Sequence, residues 1–193
     1  MMRLSMYCWI AAGIFAQLAC AEAAAPAAAP AQAAAPTSAD PSQPALTIQE
    51  LMDARIDPSA DVLWDSVAFI ASAKGEEDRR PRTPAEWDTV RQSALALIAA
   101  VDDLSMPGRR VASIDKEPGP GELRPSEIQR RIDANPHAFA RHARVLESAA
   151  KKALAAIDAK DADALMSAGG LIDEACEACH LIYWYPHQAQ SRR

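Results

Sequence analysis

Apolar residues return every three or four positions along most of the chain after Ala45, and they rarely alternate with polar ones. That spacing is the signature of amphipathic helices, and it predicts no strand, because β-branched runs are absent while Ala, Leu, Glu and Lys dominate. From Leu46 to Ala73 the residues Ile48, Leu51, Met52, Ile56, Leu63, Trp64, Val67, Phe69 and Ile70 fit a first helix, stopped by Lys74-Gly75. Pro58 predicts a bend or break inside it, with Asp57 capping a restart and Pro58 in its first turn. Thr83-Pro84-Ala85-Glu86 has the form of a capping box. It opens a second helix through Trp87, Val90, Ala94, Leu97, Ile98 and Val101 that ends near Met106-Pro107-Gly108. Residues 107–125 are rich in Pro and Gly and read as a loop without a core of its own. A short helical piece follows at Ser126–Ala134. Asn135-Pro136 starts a third long helix with Phe139, Ala143, Val145, Leu146, Ala150, Leu154 and Ile157 inward, and Asp161 caps a fourth from Ala162 to about Trp184, closed by Pro186. The fold class expected is therefore all-α, an antiparallel four-helix bundle, whose core has room for a cofactor.

The first 45 residues follow a different pattern. One basic residue, Arg3, precedes an uncharged apolar stretch from Met6 to Ala16 and then Ala19-Cys20-Ala21. A basic start, a short apolar run and a small-residue cleavage site describe an export signal over 1–21, too short to remain as a membrane span. Cleavage before Cys20 with acylation is the less favoured variant, because Gln17 stands where a branched apolar residue is wanted. Residues 22–45 are Ala and Pro with scattered polar residues, a composition that reads as an extended, disordered spacer. That leaves 46–193 as one folded domain. The expectation from these residues is export.

Charge narrows the partners. The chain carries a net −6, and losing Arg3 with the leader takes it to −7. An acidic chain without clustered Lys and Arg argues against nucleic acid and against an anionic membrane surface.

Of the four cysteines, Cys8 and Cys20 lie in or beside the leader, whereas Cys176 and Cys179 stand three apart and His180 follows at once. On a helix these three side chains project from one side. Two thiols at this spacing reach two vinyl groups of one porphyrin, and the imidazole then stands under the iron. Cys176-Glu177-Ala178-Cys179-His180 is thus a c-type haem attachment signal with His180 as proximal ligand. A structural zinc site would need a fourth ligand from distant histidines. A redox dithiol is expected at a helix start, not deep in the last helix.

A Cys-x-x-Cys-His on the last helix of an exported helical bundle resembles the class II c-type cytochromes, the cytochrome c-prime family. The resemblance spans about 46–187, specific at Cys176, Cys179 and His180 and architectural elsewhere. It implies one covalent haem c, a periplasmic location, electron transfer or small-gas binding rather than enzymatic turnover, redox partner proteins, and in many members a homodimer. It also implies a choice at the first helix, where a methionine gives a six-coordinate electron carrier and an apolar residue leaves the iron open.

Met52 is the candidate sixth ligand, sharing a face with Ile48 and Arg55, though a methionine at helical spacing is also ordinary core. Arg55 has the guanidinium geometry to pair a haem propionate, against the reading of a solvated surface arginine. Tyr183, three residues after His180, is expected beside the porphyrin. Met166 lies fourteen residues before His180 on the same helix, ~21 Å along its axis, and is excluded. Met106 is a lesser candidate, and His137 and His142 read as solvated. A peroxidase-like enzyme would need distal acid–base groups that the pattern does not place.

Overall fold

The structure is a computed structural model that describes residues 46–73 and 75–191. The expected export signal (1–21), the spacer (22–45) and Cys20 lie outside the described residues. Among the described residues no helix is long and apolar enough to cross a membrane.

Most of these residues are helical. Helix α1 (Ile48–Leu51) starts at Thr47, whose hydroxyl accepts from the Glu50 amide while the Glu50 carboxylate accepts from the Thr47 amide. A π-helical turn (Met52–Ile56) leads without interruption into α2 (Asp57–Ser66). The expected break at Pro58 is absent. Pro58 has no N–H to donate and its ring crowds the preceding turn. Widening the turn so that the Asp57 amide donates to the Met52 carbonyl lets the helix continue.

A second correction follows directly. The first helix does not run to Ala73; it stops at Ser66, and β1 (Ala68–Ser72) pairs antiparallel with β2 (Gly75–Arg79), Ala68 opposite Arg79. Phe69 is 61% exposed there, not inward.

Thr83 and Glu86 form the expected capping box at the start of α3 (Pro84–Leu104). After α4 (Pro125–Ala134) come α5 (Pro136–Asp158), capped by Asn135, and α6 (Ala162–Tyr183), capped by Asp161. A short α7 (Pro186–Ser191) ends the described chain. Helix α5 packs on α6 and α3, and α2 packs on α3 and α6. Their shared core holds Leu51, Ile56, Leu63, Leu97, Val101, Leu146, Leu165 and Ile172, all buried. Alanine lines much of the α5 seam (Ala143, Ala149, Ala150, Ala153), which lets helices approach closely.

The Pro/Gly-rich loop does contribute to this core. Val111 is buried within it, and the amides of Ile48 and Gln49 donate to the carbonyls of Arg110 and Val111, so the loop caps the entrance of α1. Val145, placed inward by its spacing, is 56% exposed.

Gly169 sits where α2 and α6 touch. The Trp64 indole N–H donates to its carbonyl at 3.0 Å, and a Cβ there would lie 3.2 Å from the Trp64 ring. Gly169→Ala should therefore lose about 1 kcal/mol net in urea unfolding, since overpacking outweighs the gain in helix propensity. Gly170→Ala meets nothing within 4 Å and should stabilise instead.

Candidate functional site

Cys176, Cys179 and His180 all come from the last two turns of α6, where residues three and four apart share a side. Together they border a cavity of about 240 Å³ whose other walls are Met52, Ile56, Asp57, Ala60 and Trp64 from the first helical segment. Leu104 closes one end, and His142, Ala143 and Leu146 of α5 complete it. The π turn matters here, because Met52 and Ile56 are its first and last residues and Asp57, Ala60 and Trp64 follow it, all lining one space. Single π turns inside α-helices recur at functional sites.

Both cysteines are half-buried and free of disulfide. Burial pushes the Cys176 thiol up to about 11, with help from the Asp57 and Asp173 carboxylates, and the Cys179 thiol up to about 12. Burial also lowers the His180 imidazole below its ordinary value, opposed by Asp57 and Glu177. At neutral pH the site thus presents two protonated thiols and a neutral imidazole. Nucleophilic dithiol chemistry needs the reverse, a depressed thiol pKa. Desolvation raises the Asp57 carboxyl, and the nearby His180 partly counters it.

Two consequences are measurable on chain that carries no haem. Iodoacetamide at pH 8 should alkylate Cys176 about a hundredfold more slowly than a free cysteine, since its thiolate fraction is lower by that factor; rates near those of free cysteine would contradict the burial. Unfolded thiols ionise near 9.0, so unfolding releases protons between pH 9 and about 11, and stability falls as pH rises through that window. The Cys176→Ala/Cys179→Ala chain should lose less stability over the same range.

Around His180 the rings of Trp184 and Tyr185 stand at 5.8 and 6.3 Å. The Tyr185 hydroxyl donates to the Glu122 carboxylate at 3.1 Å, and the Trp184 and Tyr185 amides both donate to the His180 carbonyl. The Leu123 amide in turn donates to the Trp184 carbonyl, tying the long loop to the end of α6.

The other residues singled out by sequence are distributed as follows. Arg55 does not line the cavity; half exposed, it pairs with Asp103 at 2.8 Å. Tyr183 is buried in the core behind the cavity, edge-on to Phe139 at 5.2 Å and to His142 at 6.0 Å. Met106 is exposed and accepts from Arg109 through sulfur, beside a separate small cavity that His137 also lines. Met166 is exposed. His142, expected to be solvated or loosely paired, is half-buried on the cavity wall. The acidic rim of Asp57, Asp173 and Glu177 was not singled out either. The only sequence cue for that rim was a carboxylate three before and one after Cys176.

The donor set can be tested against the groups it resembles. No group of three or more His, Cys, Asp or Glu side chains able to hold a metal ion occurs among the described residues. Two thiols and an imidazole on one helix, with the Met52 thioether lining the same cavity, are the donor types that a covalently held haem would use. Volume is the remaining demand, since 240 Å³ is below the roughly 300–1,000 Å³ of ordinary cofactor pockets. Trp64 and Asp173 line both this cavity and a neighbouring groove of about 340 Å³.

No protein-family model, curated protein or solved structure matches the chain.

Proposed function

We propose that the protein is a periplasmic c-type cytochrome that carries one covalent haem c and transfers single electrons. The observation that carries this reading is the meeting of Cys176, Cys179 and His180 with Met52 across one cavity. The packing of α5 on α3 and α6, with α2 on α3 and α6, supports a bundle of the class II type.

In this reading Cys176 and Cys179 would hold the haem, each thiol adding its S–H across one vinyl group so that sulfur would bond one vinyl carbon and hydrogen the other. The high thiol pKa values keep the cysteines protonated until that reaction. His180, held neutral by burial, offers a nitrogen lone pair, and the Trp184–Tyr185–Glu122 contacts fix the helix end that carries it. Met52 offers a soft sulfur from the opposite wall. A haem held here would supply one-electron redox chemistry that these side chains lack. A haem seated here would need more room than the cavity offers, and Trp64, which lines both spaces and donates to the Gly169 carbonyl, is the side chain that would have to shift. Arg55, committed to Asp103, leaves the propionates to other partners or to solvent.

A second reading, a five-coordinate haem that binds small gases such as NO or CO, differs by the Met52–iron bond alone. Optical spectra of the oxidised and reduced protein, with and without carbon monoxide, separate the two. Low-spin spectra with slow carbon monoxide binding support His180/Met52 ligation, whereas high-spin spectra with rapid binding give the gas-binding reading.

A further inference from the structure

A second concave surface lies on the other flank of α6. It is a groove of about 560 Å³ between α5 and α6, distinct from the cysteine cavity but sharing His142 and Ala175 with it. Its floor is apolar, with Val145 56% and Leu171 36% exposed. Its rim carries Arg141, Arg144 and Lys152 against a single carboxylate, Glu174.

Those three cations have no ion pair or hydrogen bond among the described residues. Arg55, Arg79, Arg80, Arg91 and Arg124, by contrast, each pair with a carboxylate. In a chain of net charge −6, with carboxylates on the rim of the neighbouring cavity, the groove is a local inversion of sign. An uncompensated cationic rim around exposed apolar side chains is the anatomy of a docking surface, where charge steers encounter and the apolar centre supplies contact. Two groove residues, Ala175 and Ala178, each immediately precede one of the cysteines, so an occupant lies beside the haem-bearing turns.

We infer that this groove docks the protein's redox partner, a protein presenting protruding acidic side chains next to an apolar one. The inference rests on the electron-transfer reading. A concave groove with three cations suits a protruding acidic segment; a flat anionic bilayer would reach the rim but not the floor, and would meet the chain's net negative charge. Encounters of this kind bury little area and depend steeply on salt.

The full exported protein, isotopically labelled, is titrated with the peptide Glu-Glu-Leu-Glu-Glu and followed by amide NMR shifts. Shifts are expected at Arg141, Arg144, Val145, Lys152, Leu171 and Ala178, lost in Arg141→Glu/Arg144→Glu and retained in Arg141→Lys/Arg144→Lys. In parallel, the ferrous protein gives one electron to ferricyanide, and the rate is followed from about 10 to about 200 mM ionic strength. The groove predicts a rate that falls with salt although both reactants carry net negative charge, and a drop of about tenfold at low salt in the double glutamate variant. A rate that rises with salt, as whole-chain repulsion dictates, or shifts confined to other surfaces, overturns the docking site. Co-sedimentation of wild type, but not the glutamate variant, with phosphatidylglycerol vesicles overturns the choice of a protein partner. Protein without covalent haem that still shows the shifts overturns the electron-transfer reading and keeps the surface; haem-bearing protein without them does the reverse.

Discussion

Exported chain carrying Cys176→Ala and Cys179→Ala together is expected to contain no covalent haem, a complete loss rather than a partial one. The proposed attachment uses these two thiols alone, and the other two cysteines, Cys8 and Cys20, precede Ala21. Either single variant should retain one thioether at most, with a red-shifted haem band, since one vinyl group stays conjugated. The folded core should survive, as both side chains are small and only half-buried. His180→Ala is the complementary change. It leaves both thioethers possible but removes the proximal nitrogen, so normal iron ligation should be lost while haem stays attached. Unaltered haem content in the double alanine variant would contradict the site.

Met52→Ala should convert low-spin iron to high-spin in nearly every molecule and let carbon monoxide bind rapidly. A thioether sulfur favours ferrous iron, so its removal also lowers the reduction potential. Fold loss should stay small, because Met52 is only partly buried against the core. The wild type should show the weak near-infrared band of ferric methionine ligation, and the variant should lack it. If wild type is already high-spin and the variant is unchanged, Met52 is a packing residue and the gas-binding reading takes its place.

The helices that carry the proposed site were legible because local chemistry and periodicity agreed. Thr83 with Glu86, Asn135 with Pro136, and Asp161 each begin a helix where their capping chemistry says they should. The i, i+3, i+4 placement of Cys176, Cys179 and His180 needed only the helical repeat. What stayed hidden depends on groups distant in sequence, or on backbone that side chains do not announce. The hairpin from Ala68 to Arg79 is one case, since Val67 and Ile70 continue the helical spacing of Leu63 and Trp64, while Glu76, Glu77 and Asp78 have no strand propensity. Its pairing is a backbone ladder with exposed side chains.

The π turn is another. A proline usually marks a break, and nothing local says that Met52–Ile56 absorbs it by widening. That widening is also why Asp57 ends up near His180, a meeting of residues far apart in the chain. The pairing of Arg55 was hidden for a similar reason, because its partner Asp103 arrives from the end of α3. Val111 reaches the core from a loop whose Pro and Gly content disguised it.

Intact mass of the exported protein under denaturing conditions tests the central claim most directly. Thioether bonds survive unfolding, so the account predicts the chain mass plus that of one haem, in a species that keeps its haem through acid–organic extraction. Chain mass alone, with any haem passing into the organic phase, would contradict it.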